Sequence, residues 1–376
     1  AESEYEGLLT EELASELRQG FDLANDVAFR LRLIKLGEAR YGFVLSNHHI
    51  LLDAWCRMGL IAEFFELYSA LVEGRQASLP APSSYRDFIA WLQSRDQDLS
   101  KRFWQTQLAG FERPTALPFD HARRDVGESS VGDCLVRLTR EQSQQLAQAA
   151  QASQLTLNTV VQAAWAILLH RYSGERDVLF GVTVAGRPAE IPEMQATVGL
   201  FINSIPLRVR IPGAESSLSL KAWLQQLLAQ NVALREHEHM PLVNIQQHSE
   251  IGKGQPLFDS LFVFENAPVE DSVYEQADDM KIQGDSSRTH TNYPITVVIY
   301  PGSVLGLHLS YDKRCFDKTT VDTLLEDFRD ILLSFSDAMD QDFHQLRCIS
   351  GNAQVVIEQA ALPVELSQGY ARLFER

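Results

Sequence analysis

The chain is poor in cysteine and in positive charge, and each shortage excludes something. Its four cysteines, Cys56, Cys134, Cys315 and Cys348, are scattered over 376 residues without a CxxC pair. That is neither a disulfide framework nor a zinc signature, and a reducing, cytoplasmic setting is expected. Lysine and arginine number 33 against 50 aspartates and glutamates, a formal net charge of -17. Nucleic acid and anionic membrane both demand a basic patch, so neither is expected as a main partner. No run of ~18 apolar residues occurs, so no transmembrane helix is expected. The opening AESEYEGLLT lacks the basic and apolar regions of a signal peptide. It begins without methionine in polar, acidic sequence, as a fragment of something longer would. What is present is an ordinary globular mixture, 45% hydrophobic and 22% charged. The length suits two units of ~100–200 residues each.

Along the chain, FRLRLIKL (Phe29–Leu36) alternates apolar and basic residues, as a half-buried strand does. GEAR supplies a turn and YGFVLSN a second strand, which predicts a hairpin. After Asp53, Met58, Ile61, Phe64, Phe65, Tyr68, Leu71 and Val72 recur at helical steps, and Gly74 is placed to end the helix. SYRDFIAWLQS and LSKRFWQTQLAG read as helices. Residues 110–130, rich in Pro, Gly and charge, read as a linker. Beyond it come a strand at DCLVRLT, an almost wholly apolar and therefore buried helix at LNTVVQAAWAILLHRY, and a strand at DVLFGVTV. A serine-capped helix follows from SSLSLKAW. Strands at FDSLFVFE, PITVVIY and VLGLHLSY and a helix at KTTVDTLLEDFRDILLSF complete the reading.

One internal match organises these elements. A shift of 264 residues lays Phe29 on Tyr293, Gly42 on Gly306, Ser46 on Ser310, Asp53 on Asp317 and Phe64 on Phe328 without a gap. Both copies read hairpin, aspartate, helix, which predicts two lobes of one design. The second copy has Asp312 and Lys313 where the first has His48 and His49. The shared aspartate fits a helix start. The histidines are an addition to one lobe.

Those histidines admit several readings. A histidine beside an apolar strand is often a hydrogen-bonded, half-buried ring. Metal binding is a second reading, but adjacent residues in extended chain point opposite ways, and no HExxH or Cys/His cluster accompanies them. A hydrolase triad is a third, but no GxSxG elbow is present; Cys56, close by, fits a small packed residue better than a nucleophile. The fourth is acid–base work by one imidazole on a substrate that brings its own nucleophile.

HHILLDAW resembles the HHxxxDG signature of the condensation domains of nonribosomal peptide synthetases, relatives of chloramphenicol acetyltransferase. SYRDFIAWL, VTVAGRP, VGLFINSIPLRV, REHEHMPLVNIQ, PLFDSLFVFEN and NYPIT resemble further motifs of that family, in family order, from about Gly20 to about Phe335. The resemblance implies an α+β (α/β sandwich) fold of two such lobes in a V-shaped pseudo-dimer, here divided 1–120 and 121–376. It implies formation of an amide bond between an acyl or peptidyl thioester and an aminoacyl amine. Upstream and downstream peptidyl carrier domains would hold these on phosphopantetheine arms, beside an adenylation domain. The domain itself would be monomeric within a larger synthetase and bind no cofactor or metal. His49 is implied as the catalytic residue, His48 and Asp53 as its supports, with Arg187 pairing Asp53 and Ala54 and Trp55 beside it. Asn203, Asn266 and Ser310 are candidates for the substrate tunnel.

The chain departs from the family twice. The glycine after the aspartate is Ala54, which is strained if the backbone requires positive φ. Only 47 residues precede His48, and the family's earlier SxAQ and RHxxLR motifs are absent, so the first lobe is expected to be incomplete; an arginine from such a segment would be the rival to Arg187. Cyclising relatives replace the histidines, and epimerising relatives place Ser-Trp after the aspartate; neither pattern fits. Three alternatives stay open: a starter domain loading a fatty acyl group, from coenzyme A or a carrier; a degenerate domain that docks carriers without turnover; and a stand-alone acyltransferase using coenzyme A.

Overall fold

The computed structural model describes residues 2–38, 40–79, 81, 83–121, 131–188, 190–191, 194–213, 215–252, 254–265 and 291–346. These pack as two compact units. The first is built from 2–94 and Arg187–Ile202, the second from Arg95–Gly186, 203–265 and 291–346. The division differs from the boundary expected at residue 120: the chain from Arg95 packs with the second unit, and a loop at 187–202 packs with the first.

In the first unit, helix α1 (Glu2–Gln19) precedes strands β1 (Phe29–Lys35) and β2 (Tyr41–Asn47). The strands form the expected antiparallel hairpin, with Phe29 opposite Asn47. α1 was not legible as a helix; it is held by Glu16, whose buried carboxylate pairs with Arg30 and Arg32 of β1. Helix α2 (Ala54–Glu73) begins at the Asp53 cap and ends where Gly74 takes a left-handed conformation, φ 69°. Helix α3 (Tyr85–Gln93) follows. Leu52, Cys56, Phe88, Met194 and Phe201 form a small core of their own.

The second unit holds α4 (Gln97–Leu108), β3 (Val131–Arg137), α5 (Arg140–Ala152), α6 (Leu157–Ser173), β4 (Asp177–Val184), β5 (Asn203–Arg210), α7 (Leu220–Arg235), α8 (Leu242–Gln247), β6 (Ser260–Phe264), β7 (Ile295–Tyr300), β8 (Gly306–Asp312) and α9 (Lys318–Ser334). Its mixed six-stranded sheet has the order β3-β8-β7-β6-β4-β5, with β4, β6 and β7 parallel and the other pairs antiparallel. α6 is buried almost all round, as its unbroken apolar composition requires. It packs against α9, α7 and β4, while α9 covers β3 and β8. The ring of Trp165 on α6 meets Phe328 on α9 edge to face, centroids 5.5 Å apart.

The linker reading of 110–130 needs correction over its first part. Phe111 and Leu117 are core residues of the second unit, and the buried Thr115 hydroxyl accepts the Leu179 backbone N–H at 2.7 Å. Proline and charge around them mask the apolar positions. Residues 122–130 lie outside the described set. α5 was also missed: it is a polar, alanine-rich helix carried by a capping box between Thr139 and Gln142. Among the described residues no single helix is long and apolar enough to cross a membrane.

Candidate active site

β2 ends at Asn47, and the chain turns at once. The Leu51 N–H donates to the His48 carbonyl at 3.1 Å, which places His49 and Ile50 at the centre of a four-residue turn. The Ile50 N–H donates to His48 Nδ1 at 3.1 Å. That nitrogen therefore presents a lone pair, and the ring proton belongs on Nε2. Phe21 meets the His48 ring edge-on, centroids 6.5 Å apart. His48 is thus half-buried and fixed, whereas His49 is exposed.

Leu52 and Asp53 then turn inward. Asp53 is buried and caps α2: its Oδ1 accepts the Cys56 N–H at 3.1 Å. The same carboxylate receives Arg187 Nη2 at 3.1 Å on Oδ1 and 3.3 Å on Oδ2, and the Phe201 N–H at 3.3 Å on Oδ2. Both side chains of this ion pair are almost fully buried. Arg187 donates through Nη1 to the carbonyls of Met194, at 2.5 Å, and Thr197, at 3.1 Å, and its guanidinium lies 4.0 Å over the Phe201 ring. Its Nε finds no partner among the described residues. Charges this deep survive only when paired, so Asp53 and Arg187 each secure the other.

A short turn, Thr197–Phe201, closes the clasp. Tyr85 donates its hydroxyl to the Leu200 carbonyl at 2.6 Å. Its ring lies where any side chain on Gly199 would stand, so that position accepts only glycine. Burial, then the Asp53 charge, push the Tyr85 phenol above its ordinary value. Cys56 packs in the small core, as the sequence reading expects, and also joins the same turn: Sγ lies 3.0 Å from the Gly199 carbonyl and accepts the Gly199 N–H at 3.2 Å and Arg187 Nη2 at 3.1 Å. Burial raises its pKa, so it stays a thiol.

The structure brings His48, His49, Asp53, Ala54, Trp55 and Arg187 into the first unit. Ala54 is simply the first residue of α2, and the only non-glycine residue with positive φ among those described is Gln154; the feared strain at Ala54 is absent. Asn203 and Ser310 belong to the second unit. Asn203 spends both side-chain N–H bonds on the carbonyls of Glu238, at 2.8 Å, and Met240, at 2.7 Å. Ser310 sits within β8 between Asp133 and Thr296. Asn266 lies outside the described residues. No group of three or more His, Cys, Asp or Glu among the described residues is placed to hold a metal ion. Cys56, Tyr85 and Phe201 were missed as site residues. Tyr85 and Phe201 lie inside quoted motifs, but only the folded contacts reveal what they do.

A family model described as Condensation domain matches residues 1–357. The chain belongs to the condensation-domain family. As a condensation domain it is 34% identical over 344 residues to one of the linear gramicidin synthase proteins of Brevibacillus parabrevis, covering 91% of this chain and 4% of that protein. It is 36% identical over 331 residues to chondramide synthase cmdD of Chondromyces crocatus, covering 88% and 8%. The chain therefore spans only a small part of these relatives. Among solved structures, it is similar to a four-domain nonribosomal peptide synthetase, with TM-score 0.76 and 19% identity over 91% of this chain and 27% of that one. The X-domain from teicoplanin biosynthesis superposes at TM-score 0.72 with 20% identity, covering 89% of this chain and 79% of that one. At these identities the likeness shows the fold, and the condensation domain has the mixed α+β architecture expected of it.

Proposed function

We propose that this condensation domain forms an amide bond between an acyl or peptidyl thioester on one carrier and an aminoacyl amine on another. The observation that carries the reading is how the HHxxxD stretch sorts its three ionisable side chains. The turn holds His48 by its own backbone, α2 draws Asp53 inward to Arg187, and His49 alone is left exposed with no side-chain hydrogen bond among the described residues. One free imidazole beside a locked ion pair suits a substrate that supplies its own nucleophile. The amine nitrogen attacks the thioester carbon, the C–N bond forms, the C–S bond breaks, and the sulfur leaves as a thiol. In this reading His49 takes the proton that the nitrogen loses and returns it to the departing sulfur. Asp53, fully engaged, acts as an anchor.

In this reading the domain holds no resident cofactor and its substrates arrive on phosphopantetheine arms. Its partners are the carrier domains on either side and a neighbouring adenylation domain, and it works as a monomeric domain of a larger synthetase. Similarity to a four-domain synthetase supports that setting, and the free thiols of Cys56, Cys134 and Cys315 suit a reducing cytoplasm. The test is amide formation followed by mass spectrometry, with the domain in its complete synthetase module and one acyl-loaded and one aminoacyl-loaded carrier. His49→Ala is expected to fall ~10²–10⁴-fold, the scale of a lost acid–base group. A wild type that binds both carriers and makes no amide would replace this reading with carrier docking.

A further inference from the structure

The Arg187 guanidinium has five N–H bonds, and their use is uneven. Nη1 serves two carbonyls, Nη2 is divided between the Asp53 carboxylate and Cys56 Sγ, and Nε has no partner among the described residues. The sulfur is thus one of five acceptors that hold the two terminal nitrogens. The same sulfur lies 3.0 Å from the Gly199 carbonyl and receives the Gly199 N–H at 3.2 Å, so it donates and accepts with one residue of the Thr197–Phe201 turn. Being held as a thiol, it keeps the proton that this exchange requires. Cys56 stands in the first turn of α2, three residues after Asp53, and its own N–H caps onto that aspartate. One atom thus joins α2, the 197–201 turn and Arg187, all within the first unit.

We propose that Cys56 is a positioning residue: its thiol seats Arg187 on Asp53 and thereby fixes the 48–53 segment that presents His49. The role needs a side chain that donates and accepts from a volume the size of sulfur. Serine meets the chemistry; valine meets only the volume.

The experiment compares Cys56→Ser, Cys56→Val and wild type. Its rate readout rests on the amide-forming reading, so a second readout, hydrogen exchange at the 197–201 amides, is taken independently of activity. Cys56→Val is expected to lower kcat about tenfold with KM within about twofold, the scale of one lost hydrogen bond to a charged group. It should also speed exchange at Gly199 by a similar factor. Cys56→Ser should recover both to within about threefold. In an Arg187→Ala background, Cys56→Val should lower kcat no further, because the route through the guanidinium is already gone. Valine at wild-type rate and exchange, serine as impaired as valine, or effects that multiply in the double variant would each overturn the proposal. If wild type makes no amide, the proposed function fails while the exchange series still decides the role of Cys56.

Discussion

Residues 29–71 and 293–335 fold into the same three pieces: a hairpin, β1–β2 or β7–β8, then an aspartate, then α2 or α9 starting directly after it. Their surroundings differ. In the second copy β8 and β7 lie inside the six-stranded sheet under α6 and α9, and Val297, Leu307, Phe328, Leu332 and Phe335 are fully buried. In the first copy the hairpin is a sheet of two strands, and the matching Leu33, Phe43, Phe64, Tyr68 and Leu71 are exposed, Leu71 to 81%. The aspartates are reversed: Asp53 is buried with Arg187, while the Asp317 side chain is 59% exposed and pairs with His121 at 3.0 Å. An apolar period thus specifies a face, and the neighbouring elements decide whether that face is covered. The first copy also differs at the strand end, where it has a turn with two histidines and the second has Asp312 gripped by Arg314 and then Lys313.

The contrast can be tested by paired substitutions. The largest separation is in rate: His49→Ala should lose ~10²–10⁴-fold in amide formation, whereas Lys313→Ala, at the matching position, should leave it unchanged. In urea unfolding, Phe328→Ala is expected to cost ~3–5 kcal/mol. Phe64→Ala, which gives up a stacked contact with Phe43 on an exposed face, should cost under ~1.5 kcal/mol; equal costs would mean that the first copy's face is covered after all. Asp53→Ala should cost ~3–5 kcal/mol by stranding the buried Arg187, against ~0–1 kcal/mol for the exposed Asp317→Ala.

The smallest effect is at the surface end of α2. Glu66, bound by Arg75 at 2.6 and 2.9 Å, is held at about 2 by that hydrogen bond. Its folded value lies below the ordinary 4.5, so its share of stability is present above that value and is lost as pH falls toward 2. Glu66→Gln should therefore lower Tm at neutral pH, and the gap to wild type should close in acid; concentrated salt should shrink it too.

Much of this was legible because it is local and periodic. The two hairpins, the two aspartates and the apolar α6 follow from spacing alone, and the HHxxxD stretch marked the candidate site. α1 was hidden because it is held by Glu16 reaching Arg30 and Arg32 across the chain rather than by an apolar stripe of its own. Phe111 and Leu117 were hidden by the prolines around them. The polar contacts of Cys56, beyond the packing expected of it, were hidden because the Gly199 backbone and Arg187 come more than a hundred residues later in sequence. Side-chain chemistry can be read from a short segment only when its partners lie in that segment.

The Asp53–Arg187 pair joins residues 134 positions apart. A ribosome adding ~5–20 residues per second needs about 7–27 s to make that span. Through that interval α2 can exist with its capping aspartate bonded to Cys56 N–H and otherwise hydrated, because the cation that will enclose it has not been made. The burial of that carboxylate is a late event in the life of the nascent chain, and the segment that carries His49 waits in water until it happens.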